Sequence, residues 1–197
     1  MSANKLTSEQ ETTTESNKPD RNWDAKRQEA HQRLADAIAE HAEGKELAGV
    51  VCLFSGGNDS SVVLDVMRPH LTHIAHANTG IGIEETREHV RKVAADEGLP
   101  LLEEHGESYR DLVIERGFPG PAMHYKMYQR LKERALRKVR KRLVSNGRKQ
   151  RVVFLSGIRN DESKRRAGRP VSSREGSVVW VCPLIDWTNE ELSLIHI

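Results

Sequence analysis

Gly49-Val50-Val51-Cys52-Leu53-Phe54 runs directly into Ser55-Gly56-Gly57-Asn58-Asp59-Ser60, and this junction decides the fold. Its first half is a short apolar run rich in β-formers, which reads as a buried strand. Two glycines then break the run, and Ser60-Ser61-Val62-Val63-Leu64-Asp65-Val66-Met67 reads as a helix. A strand, a glycine turn and a helix N-terminus together make an anion site. Backbone N–H groups point at the ligand, the helix dipole favours negative charge, and glycine lets the main chain approach closely. No Gly-Lys-Ser/Thr follows the glycines, so this is not a Walker A loop.

Upstream of the junction, Trp23, Ala30, Leu34, Ala37 and Ile38 recur at helical spacing and predict a helix over 23–41. Downstream, Thr72-His73-Ile74-Ala75-His76-Ala77 reads as a second strand, followed by the turn Asn78-Thr79-Gly80. A helix over 84–97 ends at Gly98, and Pro100-Leu101-Leu102 begins a third strand. Residues 108–116 read as helical, and Gly117-Phe118-Pro119-Gly120-Pro121 is a break. A long basic helix over 122–144 carries Met123, Met127, Leu131, Ala135, Val139 and Leu143 at four-residue steps. Val152-Val153-Phe154-Leu155 is a fourth strand and 177–181 a fifth. Strands alternating with helices predict a Rossmann-like, three-layer α/β/α sandwich with a parallel sheet of about five strands. Ligands bind beyond the carboxyl ends of strands in such sheets, and the junction lies at one of them.

Hydrophobic residues make up 37% of the 197 and mean hydropathy is −0.65, low for a compact domain. The dilution has a visible source: residues 1–20 are Ser/Thr/Glu/Asn/Lys-rich and are expected to form a disordered tail. The folded domain is expected over 21–192. A capped helix opens at 186–192, yet five residues remain, so truncation is expected, with 193–197 non-native. Net charge is only +2, but 126–174 holds 18 Lys/Arg against Glu133, Asp161 and Glu162. That asymmetry points to an anionic partner, nucleotide or nucleic acid. Cys52 and Cys182 each sit in an apolar run and read as buried, reduced thiols. No signal peptide and no apolar run of bilayer-spanning length occurs in this sequence, so a cytoplasmic protein without membrane contact is expected. Oligomeric state is open.

His70, His73 and His76 are evenly spaced, but 73 and 76 point to opposite faces of a strand and cannot easily share an ion. Structural roles are the better reading. Directly after the fourth strand comes Ser156-Gly157-Ile158-Arg159-Asn160-Asp161-Glu162-Ser163-Lys164-Arg165-Arg166. Glycine there permits a tight exit, and Arg159 stands at an exposed strand end where a guanidinium can grip phosphate oxygens bidentately. Glu162 is a candidate to orient it, with Lys164, Arg165 and Arg166 as further phosphate or substrate contacts. A solvated basic loop is the ordinary alternative.

Ser-Gly-Gly-x-Asp-Ser at 55–60 resembles the pyrophosphate loop of the adenine-nucleotide α-hydrolase superfamily. The pattern Gly-x-Arg-x-x-Glu-Ser at 157–163 resembles the second signature of phosphoadenosine phosphosulfate (PAPS) reductases and the ATP sulfurylase small subunit. Pro183-Leu184-Ile185-Asp186-Trp187-Thr188 resembles the family's Pro-Leu-x-x-Trp-Thr element, with Thr188 a helix N-cap and Trp187 a packing residue. Asn78-Thr79-Gly80 stands where the family places an Asp-Thr-Gly-like turn near the nucleotide. Two departures stand out: Asn58 replaces a lysine common in relatives, and Asn78 replaces the aspartate. Residues 118–134 resemble the family's substrate segment loosely, with His124, Tyr128 and Lys132 as candidate lining within a mainly packed, basic helix.

The resemblance implies an enzyme binding ATP or another adenine nucleotide with Mg²⁺. In the ATP-using branch a nucleophile attacks the α-phosphorus and pyrophosphate leaves, as in adenylyl or sulfur transfer. Ser55, Gly56, Gly57, Asn58 and Ser60 would cradle the pyrophosphate, with Asn78, Thr79 and Gly157 nearby. Asp59 would hold Mg²⁺ or cap the helix, and Arg159 would neutralise charge. The intact loop favours ATP use. A sulfonucleotide reductase whose redox cysteine lies beyond this sequence is the alternative, and so is a nucleic-acid-binding module using 126–174.

Overall fold

A computed structural model of the protein describes residues 20–162 and 168–193, with the Glu162 side chain outside that description. The expected tail, the C-terminal residues from 194, and Lys164, Arg165 and Arg166 fall outside it too. The elements are α1 (Asp20–Ala42), β1 (Glu46–Leu53), α2 (Asn58–Met67), β2 (His73–Asn78), α3 (Glu84–Asp96), β3 (Leu101–His105), α4 (Tyr109–Arg116), α5 (Pro121–Leu143), β4 (Gln150–Leu155), β5 (Ser172–Glu175), β6 (Val178–Val181) and α6 (Asn189–Ser193).

The strands form one sheet in the order β3-β2-β1-β4-β6-β5, parallel except for the β5–β6 pair. The three-layer sandwich is as expected, with one strand more. That strand, β5, is exposed at three of its four positions, so hydropathy gave no sign of it. It is the outer arm of an antiparallel hairpin, with Arg174 opposite Val179 and Glu175 opposite Val178.

Alternation along each strand supplies two cores. Val50 and Cys52 of β1, and Phe54 just after it, face one side with Val153, Leu155, Val179 and Val181, where α1, α2 and α3 bring Leu34, Val62, Met67 and Val90. Val51 faces the other side with Val152, Phe154, Ala75 and Leu102, where α5 brings Val139. The helices divide so because strand order reverses between β1 and β4. Crossovers from β1 to β2 and β2 to β3 run one way along the sheet. The connection from β3 to β4 runs back, and a constant crossover hand places α5 on the opposite face.

The reversal leaves a crevice at the carboxyl ends of β1 and β4, where the two connecting segments diverge. The 55–60 signature and the described start of the second, from residue 157, emerge there.

Candidate functional site

The 55–60 loop leaves β1 with Gly56 at φ +82, in the left-handed region that a side chain would strain. Helix α2 begins at Asn58 with Gly57 as N-cap, and no side chain caps it. Its first-turn amides therefore make a donor cluster of the kind that binds anions. Asp59 is thus not a cap.

Ser60 shapes the loop from beneath. It is 5% exposed, donates to Gly57 O at 2.8 Å, accepts from Ser55 N at 3.2 Å and meets Ser55 Oγ at 3.1 Å. Ser55, Gly57 and Asn58 are exposed above it. The loop is braced underneath and open on top.

The 157–159 segment closes against it. A Cβ placed on Gly157 would lie 3.0 Å from Asp59 C and 3.1 Å from Asp59 O, so a side chain here would push the two backbones apart by a few tenths of an ångström. Arg159 corrects the expectation of an exposed strand end: it is 3% exposed. Its Nε and Nη2 reach Asp59 Oδ1 at 3.2 and 3.1 Å, Nη1 donates to Trp187 O at 2.9 Å, and Nη2 donates to Asn189 Oδ1 at 2.7 Å. Asp59 and Asn189 orient the guanidinium. The reason is topological: α2 and α6 both start at this end of the sheet and bring polar groups over the residue.

Asn78 also proves to be a shaping residue. It is buried, its Oδ1 accepts from Gly80 N at 2.9 Å, and its Nδ2 donates to Glu103 Oε1 at 2.8 Å. Burial works to raise the Glu103 carboxyl, but hydrogen bonds from Arg91 and Asn78 outweigh it and hold the group below its ordinary value. Thr79 is buried beside it. Lys132 stands apart, exposed on α5 with Nζ 4.8 Å above the Tyr128 ring.

Sequence reading missed three participants. His89 lies beside the loop, with its Cδ2 3.4 Å from where a Cβ on Gly56 would sit and its ring 6.1 Å from that of Phe54. Asn189 and Glu103 are the others. The turn at 78–80 already placed the α3 start near the loop and was the available signal for His89.

Two of the evenly spaced histidines have identified contacts: His76 Nδ1 meets Phe54 O at 2.9 Å and His70 Nε2 meets His31 Nδ1 at 2.9 Å. Cys52 is fully buried, which pushes its thiol up to about 12, and Cys182 is half-buried; neither is in a disulfide. Thr188 and Glu191 form a reciprocal capping box, Thr188 N donating to Glu191 at 2.8 Å and Glu191 N to Thr188 Oγ1 at 3.3 Å. Trp187 is fully buried against Trp23, as its packing role requires. Among the described residues no helix is long and apolar enough to cross a membrane.

A doubly wound sheet with an uncapped glycine loop at its switch point defines an α/β domain of the pyrophosphate-loop type. Residues 49–194 match the model of the phosphoadenosine phosphosulfate reductase domain, and the chain belongs to that family. An uncharacterised protein of Methanocaldococcus jannaschii is 25% identical over 165 residues, 81% of this chain and 33% of its own length. The chain spans a third or less of the curated relatives it matches. Among solved structures, PAPS reductase from Candida auris in a phosphate complex superposes with TM-score 0.53 at 20% identity, covering 84% of this chain and 76% of that one. The NH3-dependent NAD synthetase of Campylobacter jejuni gives 0.57 at 13% identity, covering 86% and 71%. These structures share the fold of this chain.

Proposed function

We propose that this domain binds ATP through the 55–60 loop and works on it between the α- and β-phosphates. The observation that carries the reading is the uncapped start of α2, placed by Gly56 and braced by Ser60 at the sheet's switch point. Its amides face the crevice where a diphosphate would lie. An acceptor nucleophile would attack the α-phosphorus, the bond to the bridging oxygen would break, and pyrophosphate would leave with the electron pair. The loop's part is to hold the leaving group and neutralise its charge, which is the main protein contribution in phosphoryl-type transfers. Arg159 acts as a positioning residue, because its guanidinium fixes Asp59 and the α2 start.

Mg²⁺ fits the site as a phosphate-borne ion. Asp59 has one oxygen on Arg159 and its second remains for the metal, and Mg²⁺ usually takes one or two carboxylates beside phosphates and water. The ion would supply charge neutralisation on the phosphates. Reduction of a sulfonucleotide, the competing reading, draws no support from the described thiols, since Cys52 is buried with its thiol at about 12.

Calorimetric titration with Mg-ATP and Mg-GTP tests the proposal. ATP binding in preference to GTP is the expected result. No adenine-nucleotide binding at roughly millimolar ligand, a free energy near −4 kcal/mol, would overturn it.

A further inference from the structure

Between α5 and the β5–β6 hairpin lies a cavity of about 640 Å³. Ser156 and Ile158, the neighbours of Gly157, close its upper end. Its floor is Phe154 and the half-buried Trp180, edge-on with centroids 5.3 Å apart. Arg137 and Arg140 of α5 form one wall, and Glu133 and Glu175 also line it. Arg140 continues into a second cleft of about 720 Å³ at the amino-terminal end of the strands, where Arg148, Arg151 and Arg174 join it. No carboxylate lines that second cleft among the described residues.

Arg151 gives the cleft its character. It is 6% exposed, Nη1 donates to Gly147 O at 2.9 Å and Gln150 O at 2.8 Å, and its buried Nε has no partner. A buried charged donor left unmade is costly, and an anion in the cleft would relieve it. Arg148 and Arg174 are exposed, with no carboxylate in ion-pair range among the described residues. On the same helix Arg134 pairs with Glu107, and Arg142 with Glu104 at 2.8 Å. Arg137, Arg140, Arg151 and Arg174 thus make a track through the two clefts, none of them in an ion pair among the described residues.

We propose that this track binds a single-stranded nucleic-acid segment. Its phosphates would lie in the arginine cleft and a base would rest on Trp180 in the groove. Guanidinium forks match phosphate oxygens, four arginines spread through a cleft suit a chain of phosphates rather than one ion, and the half-buried Trp180 indole offers a surface on which a base can stack. That the bound strand ends at Ser156 and Ile158, beside the nucleotide loop, makes it the acceptor; this last part rests on the ATP reading.

The test compares the parent with Arg148→Glu/Arg174→Glu and with the charge-matched control Lys92→Glu/Arg110→Glu, each checked for fold by thermal melting. Binding of short single-stranded RNA and DNA is read by fluorescence anisotropy over a salt series. The cleft variant should bind at least about tenfold more weakly, with a salt slope shallower by about two, while the control keeps parental affinity. Tryptophan fluorescence should be quenched by the strand in the parent and not in Trp180→Phe. Equal losses in both double variants, equal binding of duplex, full competition by polyglutamate, or no binding by the parent at low salt would each overturn the proposal. Mg-ATP titration of the same variants should be unchanged, so loss of strand binding with ATP retained separates this site from the nucleotide site.

Discussion

Arg159 joins three elements with one guanidinium, to Asp59 on α2, to Trp187 O before α6 and to Asn189 at its start. Because it is buried, Arg159→Ala should cost stability as well as nucleotide binding. Removing one partner of a buried charge pair costs about 3–5 kcal/mol, and the partial exposure of Asp59 argues for the lower end. Urea unfolding measures this; a loss below about 1 kcal/mol would show a surface role instead. Asn58 presents the opposite case, exposed on the first turn of α2. Lysine there adds a charge beside the phosphates, so Asn58→Lys should tighten ATP binding by about 1 kcal/mol at low salt, fading as salt rises. Weaker binding by the variant in calorimetry would mean the asparagine itself contacts the nucleotide.

The start of α2 and the exit of β4 also meet through their backbones. Gly157→Ala would set a methyl 3.0–3.1 Å from Asp59 backbone atoms, which cannot swing away as a side-chain tip can. The two segments must part, and overpacking of this kind costs about 1–3 kcal/mol. ATP affinity should fall with stability, whereas Gly176→Ala in the distant hairpin should lower stability and leave ATP affinity at the parental value. Calorimetry and thermal melting on both variants check the split.

Across the whole molecule, α1 is tied to the segment before α6 by charge. Arg33 donates to Asp186 at 2.7 and 2.8 Å and to Pro183 O at 2.9 Å, and Lys26 pairs with Glu191 at 2.5 Å. The Arg33 hydrogen bond holds the Asp186 carboxyl below its ordinary value of 3.8. A carboxylate depressed in the folded state adds stability that is present in full above its unfolded pKa and lost as pH falls through the folded one. The melting temperature should therefore drop below about pH 4, and Arg33→Gln should lose part of that drop while melting lower at neutral pH. Parallel pH profiles for parent and variant would show that this pair contributes nothing.

What the sequence alone determined is what rests on local pattern. Apolar runs ending in glycine and a polar helix start marked β1, the phosphate loop and α2. Alternating elements marked a parallel sheet, and Thr188 announced a helix cap. Each is decided within a few residues by backbone sterics, hydrogen bonding and side-chain periodicity. The antiparallel β5 escaped because an edge strand buries little and so carries no hydrophobic alternation. Only the tertiary structure decided what Arg159 does, because its neighbours Asp59 and Asn189 are 100 and 30 residues away. A guanidinium after a strand reads as a free phosphate grip until long-range packing covers it. The same holds for the arginine track: composition showed an excess of charge, but which cations lost their carboxylates was fixed by where α5, the hairpin and β3 came to lie.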